Sequence, residues 1–295
     1  MNDLYQSVTD RIVAALEAGT PPWVKPWTAN ADSGLPVNAG TRRPYRGINV
    51  VLLMLEAMSR GYNHNAWLTY RQATALGGQV RAGSTGTTVV FFRRIEVPEA
   101  ETDLSPRVIP LLRSFTVFNL DQIDNLPAQF TKPAEPPAWN SLDAAEYVLT
   151  ASGADIRYAG NSAYYHPPTD RIQLPARSSF ASADAHYATA FHELAHWSGA
   201  ASRLDRDLKG RFGDNAYAAE ELIAEISSAF VCAHLGIEGK LQHAAYVHSW
   251  ISVLRSDKRA VFTAAAKAQA AADFLLRDAW GSEAQTRSSE SIASV

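Results

Sequence analysis

The run from 192 to 196 reads His-Glu-Leu-Ala-His and has the residue types of a metal hydrolase centre. On a helix, His192 and His196 project from one face, so both imidazole rings can bind one metal ion. Glu193 lies beside them, where it can accept a proton from a metal-bound water. The pattern predicts His192 and His196 as ligands and Glu193 as general base. The alternative is a helix with two polar surface histidines.

A third protein ligand is needed to complete such a centre. Glu221 and Glu225 lie four residues apart in an apolar segment, so a helix there would bury both, and a buried carboxylate needs a partner. We predict Glu221 as the ligand and Glu225 as the acid that hydrogen-bonds a ligand histidine. Zn²⁺ is the expected ion, with Mn²⁺ or another divalent ion possible. The alternative is that these acids are solvated helix charges, as we expect for Glu220.

Peptide or amide hydrolysis is the default reaction of a site of this kind. The residue that would stabilise the oxyanion is open, because several side chains qualify by type and each is more simply explained as structural. They are Tyr164, Tyr165, Tyr217, His234, His243 and His248.

Composition fits a two-domain protein of 295 residues with an ordinary apolar fraction. The single cysteine, Cys232, lies in an apolar stretch and suits a reducing compartment. The N-terminus carries no secretion pattern, and the longest apolar run, 48–55, is too short to cross a bilayer. We therefore expect a cytoplasmic protein with no membrane partner.

Charge is unevenly distributed although the net charge is only -3. Between Arg42 and Arg94 there are eight arginines and a single acid, Glu56, which gives 8 − 1 = +7. Arginine pairs well with phosphate, and aromatic residues interleaved with it can stack on bases. This stretch predicts single-stranded nucleic-acid binding. The alternative is an ordinary solvated surface over an aromatic core, and no major-groove motif is recognisable.

The pattern of elements indicates an α+β fold with two domains. We expect helices at 4–18, 49–60, 69–76, 142–152, 184–197, 218–235 and much of 243–276, with strands at 87–93 and 113–119. A hairpin of 155–158 with 163–165, followed by 171–174, would form a small antiparallel sheet. The expected divisions are a domain at 1–130, a proline-rich linker at 131–139, a mainly helical domain at 140–280 and a disordered tail at 281–295.

Motifs spread over both halves resemble the ArdC-type antirestriction proteins of plasmids, from about residue 4 to 278. In the first half these are 36–38, 43–49, 67–73 and 76–81; in the second half they are 164–165, 172–175, 192–197, 202–204, 220–225 and 257–260. The resemblance implies an N-terminal domain that binds single-stranded DNA and a C-terminal zincin-like metallopeptidase domain. It also implies a role in conjugation, in which incoming plasmid DNA is protected from host restriction.

Eight residues of the arginine-rich and aromatic stretch are predicted as DNA contacts. These are Arg43, Tyr45, Arg46, Asn49, Trp67, Tyr70, Arg71 and Arg81. Related chains often have a basic turn where this one has Ala82–Gly86, so we expect fewer phosphate contacts there.

Three hypotheses follow for the role of the metal domain. The chain protects DNA, with a metal domain that is auxiliary or acts on a host restriction component or another protein. Alternatively, it is a metallopeptidase that DNA binding brings to a host protein. A third possibility is an interaction module with an inactive metal site.

Overall fold

The computed structural model describes residues 3–23, 34–97, 107–131, 141–206, 215–237 and 244–277. Contacts divide the chain into two compact units. One unit, here called the sheet unit, is formed by residues 36–133. The other, the helical unit, combines residues 1–35 with 134–295. The predicted linker and tail lie almost wholly outside the described residues.

The described elements include both strands and helices in the sheet unit and are mostly helical elsewhere. The helices are α1 Leu4–Glu17, α2 Ile48–Arg60, α3 Tyr70–Ala75, α4 Ala128–Thr131, α5 Ser141–Ala151, α6 Ala183–Ser198, α7 Asn215–Leu235, α8 Ala244–Ser256 and α9 Ala260–Leu276. The strands are β1 Val37–Asn38, β2 Ala66–Thr69, β3 Gln79–Val80, β4 Thr87–Val97, β5 Arg107–Asn119, β6 Ile123–Asp124, β7 Asp155–Tyr158, β8 Tyr164–His166 and β9 Arg171–Leu174.

The sheet unit is built on a four-stranded sheet in the order β1-β2-β5-β4. The long antiparallel pair β4–β5 runs from the pairing of Thr87 with Val117 to that of Val97 with Arg107. Strands β3 and β6 form a separate antiparallel pair. Buried residues from β2, α3, β3 and the segment after β5 form one apolar core. This unit therefore has its own hydrophobic core.

Helix α2 ends where the sequence predicts. Gly61 has a φ of 63°, a left-handed conformation that costs glycine little and that terminates helices. Near the start of the helix, the Asn49 side chain donates to the backbone carbonyl of Val90 at 2.7 Å and accepts from its N–H at 2.8 Å. Asn49 thus satisfies backbone groups of β4, the last strand in the sheet order.

The helical unit packs α6, α7 and α9 against one another. Helix α1 belongs to this unit: the Thr9 hydroxyl donates to the Lys258 carbonyl at 2.9 Å, and the Tyr5 ring packs edge-on against Phe262. The contacts therefore group α1 with the helical unit, whereas the sequence analysis placed it in the N-terminal domain. No helix in the described part of the chain has the length and apolar character needed to span a membrane.

The small sheet beside α6 is mixed, with the order β7-β9-β8. Strand β7 pairs with β9 in parallel, and β8 pairs with β9 antiparallel. The predicted hairpin of 155–158 with 163–165 was therefore wrong, because the third strand inserts between those two. The two-domain α+β layout, with a mainly helical second region and a small sheet, is confirmed.

Candidate functional site

Helices α6 and α7 bring the predicted metal ligands together. Ser182 begins α6 by accepting a hydrogen bond from the Ala185 N–H, as an N-cap does. Buried small residues line the contact between the helices, and the Ser228 hydroxyl of α7 donates to the Ala188 carbonyl of α6 at 2.8 Å. The close approach of the helices lets Glu221 reach both rings of the motif.

His192, His196 and Glu221 form a tight group of potential ligands. The two Nε2 atoms lie 3.2 Å apart, and the Glu221 carboxylate oxygens lie 3.4 Å from His192 Nε2 and 3.5 Å from His196 Nε2. Ligand atoms bonded to a tetrahedral ion at about 2.0–2.1 Å lie about 3.4 Å from one another. The three side chains are therefore grouped closely enough to hold one divalent ion.

The opposite edge of each imidazole ring faces a different glutamate. Glu225 lies 3.5 Å from His192 Nδ1, and Glu220 lies 3.3 Å from His196 Nδ1. Glu220 is buried and also accepts hydrogen bonds from Arg206. The prediction that Glu220 is a solvated helix charge was wrong, because Arg206 from the segment after α6 compensates its charge in the interior.

The electrostatics of the cluster favour a cation. Glu193, Glu220, Glu221 and Glu225 are all buried, and the buried guanidinium beside them is that of Arg206. Burial lowers the pKa of His192, but hydrogen bonds with Glu221 and Glu225 and the charge of Glu193 raise it to about 10. Burial raises the pKa of Glu221, but the two histidines lower it to about 2. The acids thus stabilise positive charge at the position where a metal ion would bind.

A cleft of about 310 Å³ opens onto this cluster. It is lined by Ala163, Tyr164, Tyr165, Pro167, His192, Glu193, His196, Tyr217, Glu220, Glu221 and Tyr246. The predicted general base Glu193 therefore shares a cavity with the predicted ligands. A molecule bound in the cleft would contact residues of β8 and of helices α6, α7 and α8.

Three of the six oxyanion candidates, Tyr164, Tyr165 and Tyr217, line the cleft. Burial and hydrogen bonds with Tyr246 and Glu221 raise the pKa of Tyr217, so its hydroxyl stays protonated and can donate. The Tyr165 hydroxyl donates to Asp170 at 2.8 Å. Outside the cleft lining are the exposed His234 and His248, and His243 lies outside the described residues.

The predicted DNA contacts divide into exposed and buried residues. Arg43, Arg46, Tyr70, Arg71 and Arg81 are exposed, and Tyr45 is half-buried. Trp67 is fully buried in β2, where its ring packs edge-on against Tyr62. Its assignment as a stacking residue needs correction, since no face of the ring is open to a base. Asn49 also has a structural task, because both ends of its amide bond Val90.

Sequence reasoning missed the aromatic pair Phe91 and Phe115 as surface residues. Their side chains are 47% and 49% exposed. Phe91 pairs with Arg113 across the strands and Phe115 with Val89, so both rings and Arg113 share one face of the β4–β5 ribbon. The local sequence does not predict this exposure, because Val89, two residues before Phe91 on the same face of β4, is buried.

Two family models match the chain, one on each side of the proline-rich segment. The model for the N-terminal domain of the anti-restriction factor ArdC matches residues 2–118. The model for a zincin-like metallopeptidase matches residues 143–267, which implies a divalent metal in this half.

Full-length similarity extends to curated proteins and solved structures. The uncharacterized protein y4eC of Sinorhizobium fredii is 42% identical over 284 residues, covering 92% of this chain and 91% of that protein. Two DNA primases TraC of Escherichia coli are 43% and 42% identical over 92% of this chain, which spans only 20% and 27% of their length.

Crystal structures of the antirestriction protein ArdC from plasmid R388 are 48% identical to this chain. The metal-free structure has a TM-score of 0.79 and is matched over 94% of this chain and 98% of that one. The Mn(II)-bound structure has a TM-score of 0.77, over 95% and 100%.

Proposed function

Because this chain belongs to the family of ArdC antirestriction proteins, we propose that it binds single-stranded plasmid DNA entering a cell by conjugation and protects it from host restriction. The sheet unit would bind the DNA in the cytoplasm, while the helical unit holds one divalent ion, Zn²⁺ or Mn²⁺. The observation that carries the DNA proposal is the arginine excess of residues 42–94 in a chain of net charge -3. The chain is also similar to part of two proteins named DNA primase TraC, and this similarity supports a role on DNA.

DNA binding would use exposed arginines together with exposed rings. Arg43, Arg46 and Arg71 supply charge for phosphates, and Tyr70, 54% exposed, supplies a ring for stacking. Phe91 and Phe115, on the same ribbon face as Arg113, extend this set. Arg81 contributes less, because it donates to the Asp121 carbonyl and pairs with Asp124 at 3.3 Å.

The metal would be held by His192, His196 and Glu221. A divalent ion bound there would lower the pKa of a coordinated water toward about 7. Glu193, facing the same cleft, would accept a proton at its carboxylate and pass it to a leaving group. The Tyr217 hydroxyl lines the cleft and, with Tyr164 and Tyr165, is a candidate donor for a developing oxyanion.

The test of the DNA proposal compares single and double strands on the full chain. Dissociation constants for an oligonucleotide and its duplex are measured at several salt concentrations. The proposal expects tighter binding of the single strand, with affinity that falls as salt rises. Equal or weaker binding of the single strand would contradict it.

A second candidate function is a metallopeptidase that DNA binding brings to a host protein. It is favoured by Glu193, a general base that a purely structural metal site has no need for. Glu193→Ala separates the two candidates once metal and DNA binding are shown to be retained. Protection of a conjugating plasmid in a restricting recipient should survive the substitution if DNA binding protects. Loss of protection would favour the peptidase.

A further inference from the structure

Glu220 occupies a position that the metal-ligand assignment does not explain. It immediately precedes the proposed ligand Glu221 on α7. The side chain of Glu220 is buried and approaches the Nδ1 edge of the His196 ring. Glu221 lies 3.5 Å from His196 Nε2, and Glu220 lies 3.3 Å from His196 Nδ1. Two consecutive glutamates thus contact opposite edges of the His196 imidazole.

Arg206 holds the Glu220 carboxylate in place. Its Nη2 donates to Glu220 Oε1 at 2.7 Å and its Nε donates to Oε2 at 3.1 Å, which is a two-point contact. The remaining guanidinium contacts reach the end of α6, since Nη1 donates to the Ser198 hydroxyl at 3.0 Å and Nη2 to the Ala195 carbonyl. The carboxylate is therefore held against the helix that carries His196.

The segment after α6 is folded so that Arg206 can reach this position. The Leu204 N–H donates to the Ser198 carbonyl at 3.0 Å, and the Arg206 N–H donates to the Gly199 carbonyl at 2.8 Å. Asp205, with a φ of 47°, turns the chain back between them. The fold of residues 199–206 thus brings Arg206 into contact with Glu220.

A histidine that binds a metal through Nε2 carries its proton on Nδ1. An acceptor at Nδ1 fixes this tautomer and the ring orientation, and it raises the basicity of Nε2. Glu225 is at this position for His192, and Glu220 for His196. Each ring therefore has a carboxylate of its own.

We propose that Glu220, anchored by Arg206, is a positioning residue that orients His196 for metal binding, in parallel with Glu225 at His192. The proposal rests on the proposed metal site. A purely structural ion pair between Glu220 and Arg206 would close the segment after α6 without affecting the affinity of the site for metal.

The test measures Zn²⁺ affinity and imidazole tautomers on the full chain. Glu220→Gln should weaken Zn²⁺ binding by about 10–100-fold, the range typical for an outer partner of a ligand histidine. Nitrogen-15 spectra of the metal-free protein should show a changed tautomer population at His196 and little change at His192. Glu225→Gln should produce the reverse pattern at the two rings.

Two further variants guard against loss of folding. The double variant Arg206→Met with Glu220→Gln removes both buried charges, so no unpaired ion remains, and it should bind Zn²⁺ as weakly as Glu220→Gln. Glu146→Gln, which loses the ion pair with Arg177 on another part of the unit, should bind Zn²⁺ like the wild type.

The outcomes separate the proposal from the metal site on which it rests. Wild-type affinity and an unchanged His196 tautomer in Glu220→Gln and in the double variant would overturn the positioning role while leaving the metal site intact. Absence of Zn²⁺ binding by the wild type would overturn both.

Discussion

The candidate metal site and the proposed DNA-binding surface place charge in opposite environments. In the helical unit, the charged side chains of the centre are buried and meet partners at 2.7–3.5 Å. In the sheet unit, Arg43, Arg46 and Arg71 are exposed. A buried charge requires a specific partner, so position and chemistry are fixed together. A surface that attracts phosphate requires only net charge, so individual arginines are interchangeable.

Removal of a ligand should have the largest effect and should be confined to the helical unit. Glu221→Ala leaves two histidines for the metal, so Zn²⁺ affinity should fall by more than the roughly 100-fold upper range for outer partners. Calorimetric titration measures the Zn²⁺ affinity, and oligonucleotide affinity should match the wild type. Zn²⁺ binding that survives the substitution would mean that Glu221 is not a ligand.

Trp67 and Tyr70 provide a matched pair within the sheet unit. Trp67→Ala empties a buried site and should reduce the free energy of unfolding by about 3–5 kcal/mol. Tyr70→Ala should change stability by less than about 0.5 kcal/mol but weaken oligonucleotide binding by about 1–3 kcal/mol. Urea unfolding and fluorescence anisotropy measure the two quantities. A Tyr70 variant with unaltered DNA affinity would remove this ring from the binding surface.

Three exposed arginines of the sheet unit should contribute to DNA binding through their charge. Replacing Arg43, Arg46 and Arg71 with glutamine removes three phosphate partners, so the slope of log K against log salt should become less negative by about 2. The same charge change at Arg157, Arg255 and Lys267 in the helical unit is the control and should leave the slope unaltered. Equal slopes in both triple variants would show that the charge acts without regard to its location.

Lowering the pH should slightly reduce the free energy of unfolding of each unit, because a different carboxylate is protonated in each. Burial raises the pKa of Asp121 in the sheet unit, but hydrogen bonds from His64 and the Asn63 N–H lower it below its usual value. Arg177 lowers the pKa of Glu146 in the helical unit. Both folded pKa values lie below the unfolded values of about 4, so the stabilisation is present above pH 4 and is lost as pH falls through the folded values.

The substitutions that test this pH effect are Asp121→Asn and Glu146→Gln. When the urea concentration at the unfolding midpoint is plotted against pH, each variant should show a smaller decrease at acid pH, and only for the unit that carries the substitution. An unchanged decrease in Asp121→Asn would mean that the pair with His64 does not contribute to stability.

The sequence predicts that the candidate ligands lie together because helical spacing converts residue number into position. His192 and His196 share a helix face by geometry, and Glu221 and Glu225 share another. Glu220 escaped prediction because its partner Arg206 is brought near by the turn of residues 199–206, which no local pattern encodes. The parallel pairing of β7 with β9 escaped for the same reason, since strand order depends on contacts distant in sequence.

Aromatic and polar residues of the sheet unit were harder to assign. Composition alone does not distinguish a ring that packs in the core, such as Trp67, from one on the surface, such as Phe115. Strand register does not distinguish them, because the pairing of Trp67 with Asn119 and of Phe115 with Val89 places both rings on the same face of the sheet. The two rings differ in how far that face is covered along the strands, which depends on contacts distant in sequence. Asn49 is predicted from the sequence as a DNA contact, whereas in the structure its amide forms hydrogen bonds with the backbone of Val90.

Anomalous diffraction at the zinc edge, from crystals of this chain grown with Zn²⁺, tests the three-ligand metal site most directly. We expect one peak at the motif, about 2.0–2.2 Å from His192 Nε2, His196 Nε2 and a carboxylate oxygen of Glu221. A peak bound instead to Glu220 or Glu225, or a motif with no peak at saturating Zn²⁺, would contradict it.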